Sequence, residues 1–155
     1  MELLGFLDAE LILPHLKATS KDEVLKEMLS LLRDKGRISK AAYTPLLEAL
    51  RAREALGSTG MGNGIAIPHV KQSPDIHAVH GVFARSIEGV DYDAVDGEPV
   101  HLFFLMLSPR TESREHLHIL RKLAKVGRNT HLCRLLLEAE GTEEVAGLLA
   151  ELGEE

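Results

Sequence analysis

The chain has few of the residues on which several common functions depend. It has no tryptophan, two tyrosines and four phenylalanines, and its 24 acidic residues outnumber its 18 lysines and arginines. A nucleic-acid interface needs a basic surface and aromatic rings for stacking, so this composition disfavours nucleic-acid binding. Because Cys133 is the single cysteine, the chain cannot form an internal disulfide framework or a multi-cysteine zinc site.

Long apolar segments and a secretion signal are missing as well. No apolar run approaches the roughly 20 residues that a transmembrane helix requires. Residues 1–4 lack the cationic start of a signal peptide. We therefore expect one domain, residues 1–155, located in the cytoplasm without membrane insertion.

The apolar pattern predicts helices on both sides of a group of short strands. Helices are predicted at about 21–35, 39–55, 112–126, 130–138 and 142–152, and strands at 65–67, 78–84 and 100–107. Ser20 and Glu23 form a capping-box pattern before the first helix. The segment 87–98 is predicted to be a connection, with or without a hairpin. This order predicts an α/β fold, a three-layer α/β/α sandwich with a central mixed β-sheet.

The segment 59–69, TGMGNGIAIPH, combines three alternating glycines with a short apolar strand that ends before Pro68 and His69. Its glycines follow a helix and precede a strand, and no Lys-Ser/Thr pair follows them, so a nucleotide loop is disfavoured. Two interpretations stay open: a tight turn that needs positive φ, or a pocket whose backbone N–H groups bind phosphate. The phosphate-binding residues would then be Ser58, Thr59, Gly60, Gly62 and Gly64.

The eight histidines raise the possibility of a metal site. His116 and His118 are two positions apart and do not face each other on a helix, while His77 and His80 point to opposite faces of a strand. Neither pair has a cysteine or an HExxH helix beside it, so a metal site is disfavoured. The histidines predicted to be ordinary surface or half-buried residues are His15, His77, His80, His101, His118 and His131.

His69 differs because it follows the proline that ends a buried strand. A phosphoryl acceptor needs one exposed, unprotonated imidazole nitrogen, with the proton of the other nitrogen held by a carbonyl or similar acceptor. Positive groups must stabilise the transferred charge, and Arg53 or a second histidine is a candidate. From the residues alone, His69 is either a phosphoryl acceptor or a bystander.

The run 53–69, REALGSTGMGNGIAIPH, resembles the active-site signature of a known family. The family is the fructose/mannitol-type enzyme IIA domains of the bacterial phosphoenolpyruvate-dependent phosphotransferase system, which includes nitrogen-regulatory IIA-like proteins. The resemblance extends over nearly the whole chain, through SKDEVL at 20–25, the strand at 100–109 and EHLHILRKLA at 115–124.

This resemblance implies a function for three residues. His69 corresponds to the phosphorylated histidine, and His116 and Arg53 correspond to the residues that steady the phosphoryl group. The implied phosphate donor is the phosphocarrier HPr or its nitrogen-branch counterpart, and neither a metal nor a nucleotide cofactor is implied. Val70 stands where many relatives have a small residue, which is expected to alter access or partner docking.

Two destinations for the phosphate stay open. In one, the protein passes it to an enzyme IIB for sugar uptake; in the other, phosphorylation switches contacts with regulatory target proteins. The length of the chain, with no attached IIB, IIC or HPr-like segment, favours the regulatory role.

Overall fold

The helices begin where the sequence caps predict. The computed structural model describes residue 7 and residues 9–153, so residues 1–4 lie outside it. At the start of the first helix, the backbone N–H of Glu23 donates to Oγ of Ser20 over 3.3 Å. The five helices are α1 (Lys21–Asp34), α2 (Lys40–Ala55), α3 (Ser113–Arg128), α4 (Thr130–Glu138) and α5 (Thr142–Gly153). All five predicted helices are confirmed, with shifts of at most two residues at their ends.

Six strands form one mixed sheet in the order β1-β5-β6-β3-β2, with β4 also paired to β6. They are β1 (Ile12–Leu13), β2 (Gly60–Gly62), β3 (Ile65–Ala66), β4 (His69–Ser73), β5 (His80–Val90) and β6 (Val100–Pro109). One side of β6 pairs with β5 in an antiparallel hairpin. The other side pairs in parallel first with β3 and then with β4, and Pro68 lies between these two short strands.

The structure corrects the strand boundaries predicted between residues 65 and 98. The strand predicted at 78–84 begins at His80 and continues to Val90, so the segment 87–98 contains the end of β5 as well as the hairpin. β1, β2 and β4 were not predicted. His69 therefore follows β3, as expected, but it is itself the first residue of a further strand.

Helices cover both faces of the sheet. On one face, Tyr92 packs edge-on against Phe103 of β6, and Nζ of Lys21 in α1 lies 4.8 Å from the Tyr92 ring centre. Arg85 of β5 is paired with Leu102, the neighbour of Phe103, and donates to main-chain carbonyls of α4. Leu102 and Phe103 are adjacent in β6, so their side chains point to opposite faces of the sheet. Phe103 faces the side of Tyr92 and α1, and Leu102 faces the side of Arg85 and α4. Helices therefore lie on both faces of the sheet, which confirms the three-layer sandwich.

A glycine brings α3 close to the sheet. A Cβ atom at Gly127 would lie 2.8 Å from Cγ2 of Ile65 in β3, which is closer than real Cβ contacts allow. The contact therefore requires glycine at this position in the helix. Among the described residues, the helices are all too short or too polar to span a bilayer.

Candidate functional site

The three residues singled out by the resemblance lie around one cavity of about 780 Å³. Arg53 comes from the last turn of α2, His69 from the start of β4 and His116 from the first turn of α3. Apolar side chains form much of the remaining wall: Ala49, Ala52, Leu56, Val70, Leu117 and Leu120. Polar groups from three elements are thus gathered in a largely apolar recess.

The tautomer of His69 is fixed by the main chain two residues before it. Its Nδ1 atom lies 2.7 Å from the carbonyl oxygen of Ile67. Because a carbonyl only accepts hydrogen bonds, Nδ1–H donates and Nε2 keeps a lone pair. Burial lowers the pKa of His69, and the charges of Arg53 and Lys71 lower it further against the raising effects of the Ile67 carbonyl and Glu54. The ring is therefore neutral, with a nucleophilic nitrogen, near pH 7.

His116 is the buried partner of this ring. Its centroid lies 5.6 Å from that of His69, and the two planes are inclined by 56°. Nδ1 of His116 lies 2.6 Å from Oγ of Ser108, whereas its buried Nε2 has no hydrogen-bond partner among the described residues. Burial, followed by the charges of His69 and Lys71, lowers the pKa of His116 to about 4. His116 is therefore neutral at pH 7 and has one unsatisfied ring nitrogen.

Arg53 supplies a positive charge at the rim of the cavity. Its Nη1 atom donates to the carbonyl oxygen of Gly57 over 2.8 Å, which ties the half-buried side chain to the C-terminal end of its own helix. A cation is favourable at this end of a helix because the last carbonyls carry partial negative charge. The same cation is close enough to lower the pKa of His69.

The glycine loop does not line the cavity, and several of its polar groups have partners elsewhere. The backbone N–H and the hydroxyl of Thr59 both donate to the carboxylate of Glu54. Ser58 Oγ donates to the Tyr92 carbonyl over 2.7 Å and accepts from the N–H of Gly60 over 3.0 Å. These contacts tie the loop to the end of α2 and to the chain after β5.

Backbone conformation also favours the turn interpretation of this loop. Gly62, Asn63 and Gly64 have φ values of 95°, 58° and 77°. The N–H of Asn63 donates to the carboxylate of Asp96, an anion that would repel phosphate at this point. These contacts favour the turn interpretation, and the phosphate-binding role of Ser58, Thr59, Gly60, Gly62 and Gly64 stays a prediction.

Two residues that support the site were missed from the sequence. Ser108 is fully buried near the end of β6. The feature of the sequence that could have pointed to it is a single hydroxyl near the end of an almost wholly apolar strand. Glu54, next to Arg53, holds Thr59 and forms an ion pair with Lys21 over 3.1 Å. Its role depends on partners that the sequence does not place together.

The remaining histidines have the burial that the sequence predicted. His15, His77, His118 and His131 are exposed, and His80 and His101 are half-buried. Within the described part of the chain, the His, Cys, Asp and Glu side chains form no group of three able to hold a metal ion.

The fold agrees with a comparison against known proteins. The family model described as "Phosphoenolpyruvate-dependent sugar phosphotransferase system, EIIA 2" matches residues 5–152. The chain therefore belongs to the EIIA type 2 family of the phosphoenolpyruvate-dependent phosphotransferase system, whose members are phosphotransfer components.

Its relatives include both regulatory and sugar-specific proteins. A nitrogen regulatory protein of Klebsiella oxytoca is 36% identical over 155 residues, which cover 99% of this chain and 93% of that protein. A fructose-specific EIIA component of Haloferax volcanii is 37% identical over 145 residues, covering 94% and 92%. The crystal structure of the nitrogen regulatory protein IIA-Ntr from Neisseria meningitidis superposes with a TM-score of 0.84 at 35% identity, covering 93% and 96%.

Proposed function

We propose that this chain is a phosphohistidine phosphocarrier that accepts a phosphoryl group on Nε2 of His69 from an HPr-like carrier protein. The observation that carries the proposal is the hydrogen bond from Nδ1–H of His69 to the Ile67 carbonyl. It leaves the Nε2 lone pair in a cavity shared with His116 and Arg53. A neutral nucleophile, a ring nitrogen without a partner and a cation are the groups that phosphoryl transfer requires.

The transfer step needs no other reactant than the phosphorylated carrier. The lone pair of His69 Nε2 forms a bond to phosphorus while the bond from phosphorus to the carrier's nitrogen breaks. The bonding pair stays on that nitrogen, and the Nδ1 proton of His69 stays hydrogen-bonded to Ile67. Arg53 and His116 would stabilise the charge spread over the phosphoryl oxygens, because stabilising that charge is the main task in phosphoryl transfer.

Of the two candidate roles, we favour regulation, in which phosphorylation switches contacts with target proteins. Its support is the nitrogen regulatory relative from Klebsiella oxytoca, which matches across the whole described domain, together with the fold shared with IIA-Ntr. The second candidate is transfer to an enzyme IIB for sugar uptake, favoured by the 37% identity to a fructose-specific EIIA component. Adding a fructose-type IIB to the labelled protein separates the two, since loss of label to IIB supports transport. Location in the cytoplasm stays a prediction.

Phosphate labelling tests the proposed acceptor. The protein is incubated with radiolabelled phosphoenolpyruvate, enzyme I and a phosphocarrier, and we expect an acid-labile, base-stable label. His69→Ala should carry no label, and His116→Ala should be labelled slowly. His118→Ala is the matched control, because His118 is an exposed histidine of the same helix and should not affect the rate. Full labelling of His69→Ala would overturn the assignment.

A further inference from the structure

The hydroxyl of Ser108 is connected to the site by its hydrogen bond with His116. Its side chain is fully buried in β6, and its Oγ lies 2.6 Å from Nδ1 of His116. His116 lines the cavity, whereas Ser108 does not. Any effect of Ser108 on a phosphoryl group must therefore pass through the imidazole ring.

The two possible hydrogen bonds between this pair leave different groups unpaired. If Nδ1–H of His116 donates to Ser108, the hydroxyl hydrogen and the Nε2 lone pair both lack partners among the described residues. If the hydroxyl donates to Nδ1, Nε2–H and the acceptor sites of Oγ lack partners instead. Each arrangement leaves one donor and one acceptor unpaired, so the two differ in what Nε2 offers to a ligand: a lone pair in the first and an N–H donor in the second.

The second arrangement is the one that a phosphoryl group needs. Phosphoryl oxygens only accept hydrogen bonds, so they pair with an N–H donor and are repelled by a lone pair. We propose that Ser108 is a positioning residue, whose hydroxyl donates to Nδ1 of His116 and thereby keeps Nε2–H available to the phosphoryl group on His69. This inference rests on the phosphocarrier function proposed above.

The two histidines are then held in opposite tautomers by partners of opposite hydrogen-bonding character. The Ile67 carbonyl can only accept, so it keeps the proton of His69 on Nδ1 and leaves Nε2 as nucleophile. The Ser108 hydroxyl can donate, so it keeps the proton of His116 on Nε2. Because the pKa of His116 is lowered to about 4 by burial, its ring has one proton near pH 7, and its partner determines which nitrogen holds it.

The tautomer can be measured directly on the unphosphorylated wild-type protein. Long-range ¹H–¹⁵N correlation spectra distinguish protonated from unprotonated ring nitrogens, and the signals of His116 are identified by their loss in His116→Asn. We expect Nε2 of His116 and Nδ1 of His69 to be the protonated nitrogens. A His116 ring protonated on Nδ1 would overturn the role of Ser108, even in a protein labelled normally at His69. Absence of label on wild-type protein would instead overturn the phosphocarrier function itself.

Variants of Ser108 test the consequence for transfer. We expect Ser108→Ala to mix the two tautomers and to slow labelling about 10- to 100-fold, by analogy with the range seen when the partner that orients a metal-bound histidine is lost. Ser108→Thr retains the hydroxyl and should restore most of the rate and the wild-type tautomer. Ser86→Ala is the control, because this buried serine of β5 accepts from the N–H of Gly89 and has no histidine partner for its hydroxyl. Wild-type labelling by Ser108→Ala, or equal slowing by Ser86→Ala, would overturn the proposal.

Discussion

Two polar clusters lie on the same face of the sheet, and they are completed in different ways. In the first, the buried guanidinium of Arg85 donates to the carbonyls of Pro14, Leu136 and Ala139, with its Nε and Nη1 atoms 3.0, 3.0 and 2.5 Å from the three oxygens. In the second, His116 has Ser108 on one ring nitrogen and no described partner on the other.

The difference separates a group that stabilises the fold from a group that is available to a ligand. Among the described residues Arg85 pairs with carbonyls and with no carboxylate; two of these carbonyls belong to the C-terminal end of α4, where the helix carries partial negative charge. Its charge is thus stabilised by carbonyl dipoles within the protein. In the proposed function, His116 keeps a donor that pairs with the phosphoryl group on His69, so the cluster around it is completed only by an added group.

The largest expected effect comes from breaking the completed cluster. Arg85→Met removes the charge and leaves several buried carbonyls unpaired, so we expect the free energy of unfolding to fall by about 3–5 kcal/mol. Urea unfolding measures this loss. Arg134→Ala, an exposed arginine of α4, is the control and should change it by no more than about 0.5 kcal/mol. Folded Arg85→Met should still be labelled at His69; a small loss of stability would contradict the comparison.

His116→Asn, which removes the unsatisfied ring nitrogen, should show the reverse pattern: a large loss of labelling rate and a small loss of stability. His116→Asn keeps an acceptor near Ser108 but lacks a group at the position of Nε2. We expect labelling to slow about 10²- to 10³-fold, as when one preorganised donor to a developing charge is lost. The free energy of unfolding should change by less than about 1 kcal/mol, because the lost nitrogen makes no hydrogen bond in the protein. A large loss of stability with normal transfer would place His116 with Arg85 as a structural residue.

The stability of the protein should also depend on pH through the cluster that contains His116. The pKa of His116 is about 4 in the folded protein against an ordinary value of 6.5, because burial disfavours its charged form. Between these values the unfolded chain binds a proton that the folded protein does not, so stability falls as the pH is lowered through this range. The loss should be on the order of 3 kcal/mol at most, and His69 adds to it in the same direction. Urea unfolding of His116→Asn should show a shallower dependence; an identical slope would contradict the assignment.

The smallest effect concerns the positive charge at the rim. We expect Arg53→Ala to slow labelling about tenfold, because a stabilising charge is lost, and to reduce stability by less than about 1 kcal/mol. Arg51→Ala is the matched control, since Arg51 lies on the same helix and pairs with Asp22 over 2.7 Å. It should lose a similar amount of stability and keep the wild-type rate. Equal slowing by both variants would mean that only net charge matters.

Local patterns predicted the helices, whereas the sheet depended on distant partners. Ser20 and Ser39 cap their helices by accepting from backbone N–H groups three residues later, so these helix starts depend only on residues close in sequence. β4, with the sequence HVKQS, shows no run of alternating apolar residues, and its Gln72 has a φ of 55°. It is a strand because β6 offers it a parallel edge, and that edge is formed more than thirty residues later in the chain.

The site was predicted in part for the same reason. The motif resemblance identified Arg53, His69 and His116, and the structure brings all three to one cavity. It did not identify Ser108, because a serine at the end of an apolar strand gives no sign of its partner on the following helix. The network of Arg85 was equally hidden, since Arg85 and Ala139 are 54 positions apart.

The close approach of Gly127 to Ile65 helps to set the position of His116, which lies on the same helix, α3. Gly127 lies eleven residues from His116, about 16 Å along the helix axis. A side chain at 127 would press on β3 and tilt the helix, and a tilt of about 5° over that length moves the far end by more than 1 Å. Displacements of about 1 Å can reduce a rate 10²-fold. The spacing of the two histidines is therefore set partly by a missing methyl group at the other end of the helix.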